Sequence, residues 1–154
     1  MVEQPIKGRR YRVCRSRGFG ESAKLEVCCM RVHEVWGKPT EYNCKVLQVI
    51  DPGGIDRVYT VGAHRIFHQE HFEAEVEVCV GQDYVVSLEC SVGSAAMVVG
   101  RLKGVARILK RCLGTIRQYE IEFTAITSAT GHFGDCRVGS KITVPEDQIL
   151  AMVL

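Results

Sequence analysis

The stretch Ala23-Lys24-Leu25-Glu26-Val27-Cys28-Cys29-Met30 decides the fold class. Ala23, Leu25, Val27 and Cys29 fall on one side of an extended chain, and Lys24, Glu26 and Cys28 on the other. Successive side chains of a strand point to opposite faces, so this alternation marks a half-buried strand. The same pattern recurs downstream. Ala74 to Val80 alternates with Glu75, Glu77 and Cys79 outward, and Tyr84, Val86, Leu88, Cys90 and Val92 share a face opposite Ser87, Glu89 and Ser91. Tyr119, Ile121, Phe123 and Ala125 form one more inner face.

Between these runs, turn residues punctuate the chain. Trp36-Gly37-Lys38-Pro39 precedes a strand over 41–50, and Asp51-Pro52-Gly53-Gly54 turns it back into a strand over 57–63, predicting a hairpin. Gly93, Gly100, Gly104 and Gly114 divide the following stretch into short strands over 95–99 and 105–109. Residues 64–73 (HRIFHQEHFE) read as a short helix, and Pro145-Glu146-Asp147 as the first turn of another. No internal repeat is evident. Many short strands with frequent turn signals predict a mainly β protein, a barrel or sandwich. The expected organisation is a basic N-terminal segment over 1–20 and a single β-barrel domain over 21–154.

With 154 residues, 46% of them hydrophobic, the chain can bury a substantial core. No apolar run approaches the roughly 20 residues of a spanning helix, so no membrane span is expected. The net charge of +2 hides a segregation. Lys7, Arg9, Arg10, Arg12, Arg15 and Arg17 occur without an acid between them, as do Arg101, Lys103, Arg107, Lys110, Arg111 and Arg117. Residues 18–100 hold twelve acids against six Lys or Arg. Two basic stretches around an acidic middle suit a polyanion such as nucleic acid, heparan sulfate or an anionic surface. Its candidate contacts are Arg9, Arg10, Arg12, Arg15, Arg17, Arg107, Lys110 and Arg111. Tyr11, Phe19 and Tyr119 supply few rings for stacking on bases.

Eight cysteines suggest an oxidising compartment, although Met1-Val2-Glu3-Gln4-Pro5 opens no apolar signal region. There is no Cys-x-x-Cys motif. Cys28 and Cys79, on polar faces, are the better candidates for bridging, while Cys29 and Cys90 suit the core. His64, His68 and His71 would line one side of the expected helix and could hold zinc. Cys14, beside Arg15, Arg17 and Lys24, is the candidate for a reactive thiol. Gly-x-Ser-x-Gly, phosphate-loop and dinucleotide motifs are missing.

Tyr42 to Val49, and Cys79 with Val80-Gly81-Gln82-Asp83-Tyr84-Val85-Val86, resemble two blocks of the netrin-like module of netrins, complement components and tissue inhibitors of metalloproteases. The resemblance implies a five-stranded barrel of the oligonucleotide/oligosaccharide-binding (OB) type. It also implies a secreted, non-enzymatic binding module, with heparin-like glycans or proteins as partners. The inhibitors' N-terminal zinc-chelating cysteine pair has no counterpart, because Cys14 follows thirteen residues and precedes Arg15-Ser16. The leading expectation is therefore an OB-like barrel with one or two short helices, secreted, binding a protein or sulfated glycan. The alternatives are a cytoplasmic or viral single-stranded nucleic-acid binder and an enzyme with a His or Cys site.

Overall fold

The computed structural model describes residues 2, 4–16, 22–53, 59–90, 93–111 and 114–154, with backbone alone at 90, 110, 111, 114, 115, 132 and 135. β1 (Arg10–Ser16), β2 (Ser22–Val35), β3 (Lys38–Asp51), β4 (His64–Phe67) and β5 (Phe72–Glu75) form a sheet in the order β4-β3-β2-β1-β5. β6 (Asp83–Cys90), β7 (Ser94–Arg111), β8 (Gly114–Ala129), β9 (Lys141–Pro145) and β10 (Ile149–Met152) form another, in the order β10-β6-β7-β8-β9. Both are antiparallel.

Mainly β architecture is thus as the alternation requires, but its organisation differs from a single barrel over 21–154. The chain divides into two compact units, Met1–Glu77 with Lys110–Ile116, and Val78–Leu109 with Arg117–Leu154. Each has its own core. In each, four strands follow one another as a meander and the fifth returns to pair with the first. An OB barrel is instead a Greek key.

The two orders are one order repeated, which corrects the expectation of no repeat. Gly8 donates its amide to Cys29 and Cys29 to Arg9; in the second unit Gly81 donates to Leu102 and Leu102 to Gln82. Both pairs are offset by 73 residues. Val46 bonds Ala63, Gly62 bonds Val46 and Ala63 bonds Thr60; Phe123 bonds Ser140, Gly139 bonds Phe123 and Ser140 bonds Arg137. Here the offset is 77, so the second long hairpin holds four more residues than the first. Core positions follow suit. Tyr11, Val13, Leu25, Cys29, Tyr42, Cys44, Val46, Phe67 and Phe72 are matched by Tyr84, Val86, Val98, Leu102, Tyr119, Ile121, Phe123, Val144 and Ile149.

The expected helices are not formed. Residues 64–73 split into β4, a 3₁₀ turn over Gln69–His71, and β5. Phe67 and Phe72 are both buried, and only strand–turn–strand geometry brings both onto the core. The corresponding C-terminal segment is β9, a 3₁₀ turn over Glu146–Gln148, and β10. The strands expected over 95–99 and 105–109 are one strand, β7. Gly100 lies within it because a Cβ there would collide with Ile121 Cγ2. Ile121 stands where the first unit has Cys44, and Gly100 where it has Val27. The larger residue therefore occupies room that the smaller one leaves, keeping the core close-packed. Residues 59–63 form no strand, and β4 takes the place beside β3. The expected turn at Gly54, the strand start at Arg57 and the inner-face Val92 lie outside the described residues.

Candidate functional site

The long strands outrun their sheets. In β2 and β3 the residues from His33 to Lys38 are exposed one after another, on both faces of the ribbon. Val35 pairs with Lys38, leaving Trp36-Gly37 as a two-residue turn with φ of 54° and 74°. Positive φ at both central positions is the type I′ hairpin, which favours Asn-Gly. Trp36 is the one non-glycine residue with positive φ among the described residues. An L-residue in this conformation is disfavoured by about 1–2 kcal/mol. Its indole is nonetheless 96% exposed, so no packing within the unit offsets that strain.

The hairpin of β7 and β8 is the second arm. Val105, Ala106, Arg107 and Ile108 are exposed in succession, again on both faces. Arg101 and Lys103 are exposed on the outer face of the same strand, separated by buried Leu102. Arg101 Nε lies 3.0 Å from Asp83 Oδ1, and Lys103 Nζ 3.1 Å from Glu122 Oε2. The Lys103 hydrogen bond and charge hold the Glu122 carboxyl below its ordinary range.

The first basic stretch is distributed differently. Arg9 Nη1 pairs with Glu75 Oε1 at 2.8 Å. Arg10 is buried and its Nε donates to the Glu26 carboxylate. Arg15 donates to the Ile66 carbonyl and, at 3.2 Å, to the Tyr59 hydroxyl, with its guanidinium carbon 4.5 Å from the Phe67 ring centroid. Three of the expected anion contacts are therefore engaged within the first unit, and Arg12 is exposed on β1. Arg107 is exposed on the arm; Arg17 and the side chains of Lys110 and Arg111 lie outside the described residues.

The histidines do not assemble as a zinc site. Without the helix, His64 opens β4 opposite Lys45, and the His68 and His71 rings stand 5.7 Å apart across the 3₁₀ turn. Among the described residues no group of three His, Cys, Asp or Glu is placed to hold a metal ion. His71 Nδ1 instead accepts the His68 amide at 3.0 Å. Burial, then the nearby Arg15 charge, lowers the His71 pKa.

Among the described cysteines, Cys14, Cys28, Cys29, Cys44, Cys79 and Cys136 are thiols rather than disulfides. Cys28, expected on a polar face, is buried together with Arg10 and Glu26, because that face of β1 and β2 is also covered. Cys79 is exposed. Cys29 and Cys44 face one another across β2 and β3, both fully buried. The hydrogen bond between the two thiols, followed by burial, pushes Cys44 up. Cys90's side chain and Cys112 lie outside the described residues.

A cavity of about 870 Å³ opens beside Tyr11 in the first unit. Ile6, Met30 and Val32 give it apolar walls, while Lys7, Arg31 and Glu75 supply charge. Met30 is the unpaired residue where the β2–β3 register shifts, and such a bulge re-aims neighbouring side chains.

No family model, curated protein or solved structure matches the chain. Sequence reading missed Trp36, whose signal was present. A two-residue turn ending in glycine, between alternating strands, fixes its first residue at a hairpin tip.

Proposed function

We propose that the protein is a two-unit binding protein that holds a polyanion through the β7–β8 arm. The supporting observation is the run Val105–Ile108, exposed on both faces of the β7–β8 ribbon and carrying Arg107. Residues 101–117 contain six Lys or Arg and no acid, so this segment concentrates positive charge along the sequence. Arg101 and Lys103 make exposed ion pairs, which contribute little and exchange readily for phosphate or sulfate. By strand order, we infer that each unit is a small SH3-like barrel.

Sulfated glycan and nucleic acid present the same chemistry, a flexible row of anionic groups. Binding of a heparin oligosaccharide and of a single-stranded oligonucleotide, each over a salt series, tests the reading. The logarithm of affinity should fall linearly with the logarithm of salt, by roughly 0.7 for each phosphate contacted on a single strand. The R101A/K103A/R107A variant should weaken binding and flatten that slope. Absence of binding at low salt, or a slope unaffected by the three substitutions, overturns it.

A further inference from the structure

We infer that Trp36 is a stacking residue for the bases of single-stranded nucleic acid. The inference rests on the polyanion reading above and deepens it, since it names which polyanion the protein takes.

Three observations carry it. First, the indole is almost fully solvated at the end of a ribbon, with both π faces open. Second, the position is poorly suited to tryptophan for any local reason. The backbone at φ 54° favours Asn or Gly, and no core contact compensates. Residues that break a local rule without a structural return are expected at functional sites. Third, the surroundings match a nucleotide better than a protein partner. A protein hot spot sits within a rim of packed contacts that excludes water. Around Trp36 the tip offers Val35 and otherwise His33, Glu34, Gly37, Lys38 and Thr40, all exposed. Stacking needs only a free ring face and nearby positive charge, and Lys38 lies one residue beyond the turn, with Arg31 exposed further down the same arm.

The chain contains one tryptophan, so its intrinsic emission reports on this residue alone. Titration of the whole protein with an unlabelled oligothymidylate of ~16 nucleotides should quench that emission and shield it from iodide. Heparin, which has charge but no bases, should bind without quenching. The W36N variant suits the turn better than tryptophan, so it should fold at least as stably as the parent. It should lose roughly 5- to 150-fold in oligonucleotide affinity, the range expected for one stacked base. W36F should recover part of the loss, and heparin affinity should be unchanged in both variants.

Salt-dependent oligonucleotide binding with unchanged emission, and equal affinity in W36N, overturns the role of Trp36 and leaves the polyanion reading standing. Quenching that persists in R101A/K103A/R107A at undiminished affinity supports Trp36 and overturns the β7–β8 arm. If neither polyanion binds, both fall. A blue shift on phosphatidylserine vesicles, without quenching by the oligonucleotide, overturns the inference in favour of a lipid surface.

Discussion

Tyr11 and Tyr84 do the same work 73 residues apart. Each hydroxyl accepts the backbone amide of the residue five positions earlier, Ile6 at 2.8 Å and Cys79 at 2.7 Å. Each thereby ties the segment entering its unit to a buried ring. Phenylalanine at either position keeps the ring and leaves the amide without that acceptor. Y11F and Y84F should each cost about 1 kcal/mol. Amide exchange should localise the loss, with Ile6 losing protection in Y11F and Cys79 in Y84F.

The exchange of volume between Gly100 and Ile121 makes a sharper test of the repeat. G100V should be destabilised by about 1–3 kcal/mol, because its side chain meets Ile121 Cγ2. I121C alone should leave a cavity. The double variant G100V/I121C reproduces the Val27 and Cys44 of the first unit, so it should recover most of the combined loss. A denaturation double-mutant cycle with a coupling energy near zero would contradict this packing account.

The repeat shows where sequence reading reached and where it stopped. Alternation placed Leu25, Val27, Val86, Leu88, Ile121 and Phe123 on buried faces, and they are buried. Ala125, expected inside, is exposed near the end of β8. The duplication was hidden because equivalent core places hold different residues, such as Cys29 and Leu102 or Phe67 and Val144. The four extra residues of the second hairpin also break any constant spacing. The 3₁₀ segments misled for a different reason: residues 64–73 lack clean alternation, and the sign against a helix was the spacing of Phe67 and Phe72, which lie about 140° apart on a helix and cannot share its buried face. The basic clusters were legible as composition, but burial of Arg10 and the ring contact of Arg15 depend on strands distant in sequence.

Protonation of His71 should weaken the first unit. The folded-state pKa lies below the ordinary value of 6.5, owing to burial and Arg15, with His68 acting in the same direction and Glu70 opposing. The unfolded chain therefore takes up the proton first. Stability should be fully present above pH about 6.5 and should fall as pH drops from there through the folded-state value. Protonation of Nδ1 also removes the acceptor for the His68 amide. Urea midpoints at pH 7.5 and 5.5 should differ less in H71N than in the parent, since asparagine retains an acceptor and does not titrate.

Thiol reactivity should follow burial. Cys79 is exposed, and Cys14 and Cys136 are half-buried, whereas Cys28, Cys29 and Cys44 are buried. An aromatic disulfide reagent added to native, reduced protein should modify Cys79 first among these six cysteines. Cys28, Cys29 and Cys44 should react only on unfolding. Peptide mapping after brief labelling checks this order. Early labelling of Cys29 or Cys44 would mean that the first unit's core opens readily.

Tyr42 and Tyr119 occupy equivalent places but differ at the hydroxyl. The Tyr42 hydroxyl is buried and has no hydrogen-bond partner among the described residues. Burial, with the charge of Glu146 and a hydrogen bond to its carboxylate, pushes Tyr119 up to about 12. Removing an unpaired buried hydroxyl forfeits no bond, so Y42F should be neutral or slightly stabilising. Y119F removes a bond to a charged group and should cost about 1.5–3 kcal/mol at neutral pH. The alkaline limb bears on both hydroxyls, because burial raises the Tyr42 pKa as well. The unfolded chain loses its tyrosine proton near pH 10 while folded Tyr119 retains it, so the parent should lose stability as pH rises from about 10 towards 12. In Y119F that contribution disappears, together with the tyrosinate absorbance step near pH 12. If Y42F proved as costly as Y119F, the two hydroxyls would have equivalent partners and this asymmetry between the units would be refuted.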